Sequence, residues 1–150
     1  MPNRLANGFS LIELMLALVV LGILAAIALP SYQSYRAKML NTKAIGDMLE
    51  ISQMLERWHT VHGTYPPDLA SLGATPNDPW AHPYQYLNIE AGVPRGAVRK
   101  DKNLNPLNSD FDLYSMGPDG LTSKPLTAAH ARDDIVRAGN GGFIGLATEH

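Results

Sequence analysis

The chain has 150 residues, a formal charge of −2 and no cysteine. That length suffices for one domain with a real core once an apolar N-terminal stretch is set aside, and the missing thiols rule out a disulfide framework, a thiol nucleophile and a cysteine zinc site. Basic residues are scattered, with Arg99, Lys100 and Lys102 the only local cluster, so nucleic acid is not an expected partner.

Met1 to Gly8 holds one basic residue, Arg4, and no acid. An apolar run follows the Gly8-Phe9 junction instead of preceding a small-residue cleavage site, so the order is not that of a secretory signal discarded with its hydrophobic part. Phe9 to Leu29 covers 21 residues, about 31 Å as a helix, which matches the hydrocarbon thickness of a bilayer. The segment can cross a membrane once and be retained. Glu13 stands at the edge of the charge-free stretch Leu14 to Leu29. An acid at mid-bilayer costs about 2.5–3.5 kcal/mol and is usually there for a partner, whereas one in the headgroup region needs none.

Beyond Pro30, where a kink is expected, the residues Met39, Leu40, Ile45, Met48, Leu49, Ile51, Leu55 and Trp58 recur at helical spacings among charges. They form the one-sided stripe of an amphipathic helix, which Gly63 and the pair Pro66-Pro67 end near Val61. Pro67 to Leu72 suits one short helical turn. Strands are expected at Tyr84 to Leu87, at Gly96 to Lys100 and, most clearly, at Phe111 to Met116, with Phe111, Leu113 and Ser115 on one face and Asp112, Tyr114 and Met116 on the other. Gly117 to Gly142 reads as loop, and a short strand at Phe143 to Leu146 closes the chain.

No enzyme site stands out. Ser10, Ser31 and Ser34 lack a histidine and acid context, and Gly139 to Gly145 lacks the lysine and strand-to-helix setting of a phosphate loop. His59 and His62 lack a third ligand and suit a helix C-terminus, where a cation favours the dipole. Trp80, Tyr84 and Tyr86 at strand spacing read as core rather than as a binding platform.

The string Gly8-Phe9-Ser10-Leu11-Ile12-Glu13, followed by a retained apolar helix, resembles the signal of type IV pilins and of type II secretion pseudopilins. Three further stretches, 78–86, 111–120 and 133–135, are similar to the C-terminal domain of the major pseudopilin, the G-type subunit; residues 135–146 depart from the shorter Asn-Trp ending usual in such subunits. The resemblance implies an α+β pilin fold, a long helix packed on a small antiparallel sheet with a loop-rich C-terminal region. It divides the chain into a leader (1–8), a transmembrane and polymerisation helix (9–30), an amphipathic half-helix (31–62) and a globular domain (63–150).

It also implies cleavage between Gly8 and Phe9 by a prepilin peptidase, with methylation of the Phe9 amine. That amine lies four residues from Glu13, and in a staggered bundle the amine of an incoming subunit meets the Glu13 of its neighbour, which offsets the cost of both charges and sets the register. The expected product is a homo-oligomeric helical filament, anchored in the bacterial inner membrane with its C-terminal domain in the periplasm. Minor pseudopilins, an assembly platform and a separate ATPase would serve it, either for type II secretion or, as the alternative, in a type IV pilus. Asp119, Asp133 and Asp134, with Ser123 and free backbone carbonyls, offer the hard oxygen ligands that Ca²⁺ takes at about 2.3–2.6 Å, though spacing alone reads these aspartates as turn formers; the resemblance makes Asp119 and Asp133 the expected side-chain ligands, completed by the Met116 carbonyl.

Overall fold

The computed structural model describes residues 8–73, 76–103 and 105–150; the first seven residues of the expected leader lie outside the described residues. Internal contacts divide the chain into two units, Met1–Lys38 and Met39–His150, which are taken in turn. One helix, α1, covers Leu11–His62. It ends at His62, one residue beyond the expected Val61 and just before Gly63, whose N–H donates to the His59 carbonyl at 2.8 Å.

In the first unit α1 starts on a capped turn. The Glu13 N–H donates to Ser10 Oγ at 3.2 Å, and the Leu14 N–H donates to the Ser10 carbonyl at 3.2 Å. Ser10 and Glu13 thus occupy the two ends of the S-x-x-E pattern of a capping box. The helix runs through Pro30, where the ring removes one donor from the ladder, and the Ser31 hydroxyl donates to the Ile27 carbonyl at 3.0 Å nearby. Every described residue here is exposed.

In the second unit α1 turns an apolar stripe to the core: Ala44, Met48, Ile51 and Leu55, at steps of four, three and four, are all buried, as a 3.6-residue period requires. Met39 and Leu49, expected in that stripe, are exposed; they stand off the buried line by about a quarter turn or more at 100° per residue. Four strands, β1 (Gln85–Asn88), β2 (Phe111–Ser115), β3 (Ile135–Ala138) and β4 (Phe143–Leu146), form one antiparallel sheet in the order β1-β2-β3-β4. The result is the expected long helix on a small antiparallel sheet.

Two of the expected assignments change. Gly96 to Lys100 is turn and irregular chain that meets the rest through isolated bridges at Lys100 to Pro106 and Pro125. Proline N atoms cannot extend those contacts into a ladder. Conversely β3 lies inside the segment expected to be loop. Its alternation is hidden because Arg137, a charged residue, takes a core-side position.

Both faces of the sheet are covered. Phe111, Leu113 and Ile135 pack with the α1 stripe, Tyr65 and Tyr84, while Val136 and Ala138 pack on the opposite side with Leu107, Leu126 and Ala147 from the loops. The second layer explains why β2 is buried at four of its five positions, where a sheet with one wet face would alternate. A single 3-10 turn at Leu69–Leu72, N-capped by Asp68, fills the place of the expected helical turn.

Candidate functional site

Two features stand apart from ordinary core. The first is the surface of α1 before Lys38. Phe9, Leu11, Ile12, Leu14, Met15, Leu16, Leu18, Val19, Val20, Leu21, Ile23, Leu24, Ile27 and Leu29 are all exposed, and this run has the length and hydropathy of a membrane span. A continuous apolar surface of that kind needs lipid or another helix to cover it. Gly8 and Phe9 precede the helix, and Phe9 is 77% exposed, so the expected cleavage junction stands in accessible, non-helical chain. Glu13 lies in the first turn, where a negative charge also opposes the positive end of the helix dipole. Its capping relation to Ser10 is missed by a reading that treats Ser10 only as a nucleophile candidate; the S-x-x-E spacing is the signal that finds it.

The second feature is the set of loops at the end of β2. Asp78 is buried and acts as a hub: Oδ1 accepts the N–H of Trp80 at 3.0 Å and of His82 at 2.8 Å, while Oδ2 accepts the Ser115 hydroxyl at 2.5 Å. Nδ1 of His82 is 3.1 Å from the Gly117 carbonyl. The stretches 78–86 and 111–120 are therefore held against each other by polar contacts from both ends. Gly117 has φ of +64°, and a Cβ there would stand 2.4 Å from the Asp133 carbonyl oxygen; glycine alone meets both demands.

Asp119 and Asp133, two of the expected metal ligands, come together across this turn. The Asp119 N–H points to Asp133 Oδ2 at 3.4 Å, Asp119 Oδ1 accepts the Leu121 N–H at 2.8 Å, and its Oδ2 is 3.7 Å from His130 Nδ1. Ser123 and Met116 are half-buried in the flanking chain. Among the described residues no group of three or more His, Asp or Glu gathers with the spacing of a metal centre. The chemistry of the donor set still suits a hard cation, because two carboxylates, a hydroxyl and a carbonyl are all oxygen ligands of the kind Ca²⁺ takes alongside water.

Asp134 plays a different part. It is fully buried; its Oδ2 accepts from Arg99 Nη2 at 2.6 Å and from the Thr122 hydroxyl at 2.5 Å, while Oδ1 has no hydrogen-bond partner. Burial pushes its carboxyl above the usual range, against the pull of the Thr122 hydroxyl and the Arg99 charge. Arg99 also lies 4.2 Å over the Tyr114 ring, and its N–H donates to Asp112 Oδ2 at 2.7 Å. In a chain with no disulfide, this buried ion pair ties the 95–100 segment to the start of β3. A second guanidinium, Arg137, forks onto Asp110 at 2.8 and 2.6 Å and stacks 3.8 Å over Phe111. In the sequence Arg99 reads only as part of the local basic cluster with Lys100 and Lys102, and Arg137 carries no signal of a role.

Comparison with known proteins places this geometry. Residues 3–29 match the prokaryotic N-terminal methylation motif. The chain is 32% identical over 154 residues to the type IV major pilin protein PilE of Neisseria gonorrhoeae, covering 95% of this chain and 90% of the relative. It is also 32% identical over 142 residues to the type II secretion system core protein G of Pseudomonas aeruginosa, covering 80% and 89%, and 29% identical over 127 residues to that of Dickeya chrysanthemi, covering 79% and 82%. A pilin-like subunit is the class that the helix, the sheet and the methylation motif define together. The chain belongs to the type IV pilin-like family, which includes pilins and the G-type core protein of type II secretion. It is accordingly a membrane-anchored, filament-forming subunit of a pilus or pseudopilus, with an N-terminus of the kind prepilin peptidase processes.

Proposed function

We propose that the chain is the major structural subunit of a periplasmic pseudopilus, polymerising through 9–30 to help drive folded exoproteins across the outer membrane. The observation that carries this reading is the mutual packing of 78–86 and 111–120, the stretches that resemble the G-type subunit, through Asp78 to Ser115 at 2.5 Å and His82 to Gly117 at 3.1 Å. A C-terminal loop fastened by buried charge in place of cysteines accords with it. The subunit catalyses nothing and takes its energy from a separate cytoplasmic ATPase; an inner-membrane platform and minor pseudopilins are its assembly partners. Before assembly it spans the inner membrane once, with the domain from 63 on in the periplasm.

In this scheme prepilin peptidase cuts between Gly8 and Phe9, and the methylated amine of Phe9 on an arriving subunit meets Glu13 of one already in the filament. Asp119 and Asp133, completed by Ser123 and the Met116 carbonyl, hold Ca²⁺ and brace the loop from 117 to 134. The alternative, a type IV pilus subunit, is supported by the similarity to PilE over 95% of the chain. A strain lacking this chain separates them. Loss of exoproteins from the medium with surface filaments and motility retained is the expected result; loss of filaments with secretion intact would overturn the secretion reading. For calcium, the full chain in detergent should melt at a higher temperature with Ca²⁺ than with chelator, and an unchanged melting temperature would remove the ion.

A further inference from the structure

The basic cluster in the sequence divides between buried and exposed members. Arg99 is buried in the pair with Asp134, but Lys102 is exposed and lines an open cavity of about 460 Å³ together with Asp101, Leu126, Thr127, Arg132 and Thr148. Ala147 and His150 complete the wall. A cavity of this size lies within the usual range for small-molecule sites.

Its charges are unevenly satisfied. Asp101 is the acidic side chain in the lining, and its carboxylate is occupied by its own turn. Oδ1 accepts the N–H of Asn103 and of Asn105, both at 2.8 Å, and Oδ2 faces Asn105 Nδ2 at 3.4 Å. Those bonds hold its carboxyl below the usual range, with the Asn105 N–H the largest contributor. Lys102 and Arg132, by contrast, have no hydrogen-bond or ion-pair partner among the described residues. The chain around the cavity is anchored: the Leu126 N–H donates to the Lys100 carbonyl at 3.0 Å, the Asp101 N–H to the Asn105 carbonyl at 2.8 Å, and the Ala147 N–H to the Asp134 carbonyl at 2.9 Å.

We infer that this cavity is a binding site for a carboxylate carried on a short aliphatic stem. The Arg132 guanidinium offers the planar fork that a carboxylate matches, Lys102 adds a point charge, and the Thr127 and Thr148 hydroxyls supply further donors. Leu126 and Ala147, both buried, give an apolar floor for the stem, which a bare inorganic anion has no use for. The same group occurs on a free dicarboxylic acid and on a glutamate side chain of a protein, and the two are distinguishable.

The test is titration of the full chain in non-ionic detergent with glutarate, with a capped glutamate peptide and with inorganic phosphate, at constant ionic strength, following amide NMR signals of residues 101–103, 126–132 and 147–150. Saturable shifts with glutarate are expected, weakened about tenfold or more in Lys102→Gln and in Arg132→Gln, as loss of one charge-assisted bond requires, with melting temperature unchanged. Saturation by the peptide as well assigns the site to a protein side chain; saturation by glutarate alone assigns it to a free acid. Absence of saturation by either, shifts indifferent to both substitutions, or phosphate binding as tightly as glutarate would overturn the inference.

Discussion

Arg99 and Asp134 show how one residue pair substitutes for a covalent staple. Two opposite charges removed from water gain from each other, but each alone is a liability, so deletion of one partner of a buried pair costs about 3–5 kcal/mol. Arg99→Met should therefore destabilise the domain by that amount in urea unfolding followed through Trp58 and Trp80, and adding Asp134→Leu should recover most of it. A loss below about 1 kcal/mol, the scale of an exposed pair, would show that water reaches the site. Three tyrosines make a separate statement about pH. Burial raises the Tyr65 hydroxyl to about 12, helped by its bond to Glu56, and raises Tyr84 and Tyr86 still further for the same first reason. The folded state holds these protons more tightly than the unfolded one, whose tyrosines titrate near 10. Their contribution is complete below pH 10 and is lost as pH rises toward the folded values. Alkaline titration should show tyrosinate absorbance from these three residues arriving together with unfolding; their ionisation in a still-folded domain at pH 10 would contradict the burial.

At the scale of elements, α1 does two jobs with one backbone. Its second half stabilises the domain through Ala44, Met48, Ile51 and Leu55, and Met48→Ala should cost about 2–5 kcal/mol because a cavity replaces a fully buried side chain; a cost under 1 kcal/mol would mean the site collapses freely. Its first half keeps an apolar surface and a single acid. Glu13→Leu should insert in the membrane as before and assemble poorly or out of register, and normal filament yield from that variant would remove the pairing of Glu13 with the Phe9 amine. Helix and strand patterns were legible in proportion to how apolar their buried positions are. Phe111, Leu113 and the Tyr84 to Leu87 alternation read directly as strands, and β4 was readable from Phe143 to Leu146. β3 was not, since Arg137 occupies a core position by forking onto Asp110 and stacking on Phe111, a solution visible only once distant residues are brought together. Gly96 to Lys100 misled in the opposite sense, because the adjacent residues Val98 and Arg99 are both buried in irregular chain, where a half-buried strand would alternate. In the loops, spacing alone read Asp119 and Asp133 as turn formers and only the resemblance put them together, while the hub role of Asp78 was hidden in what reads as an ordinary Asn-Asp-Pro turn.

For the whole molecule, the proposed function requires that residues 9–30 pack against copies of themselves. Fourteen large apolar side chains between Phe9 and Leu29 are exposed, a surface that lipid or other helices must cover. A lone membrane anchor for a ligand-binding domain would show the same apolarity but would not need an acid at Glu13, one turn from the proposed cleavage junction. The absence of native cysteine makes the distinction directly measurable. Single cysteines introduced in turn along residues 9–30 and oxidised in membranes that carry the assembly machinery should yield a helical pattern of cross-linked species that extends to long ladders and disappears with Glu13→Leu. Monomers alone at every position would contradict the account.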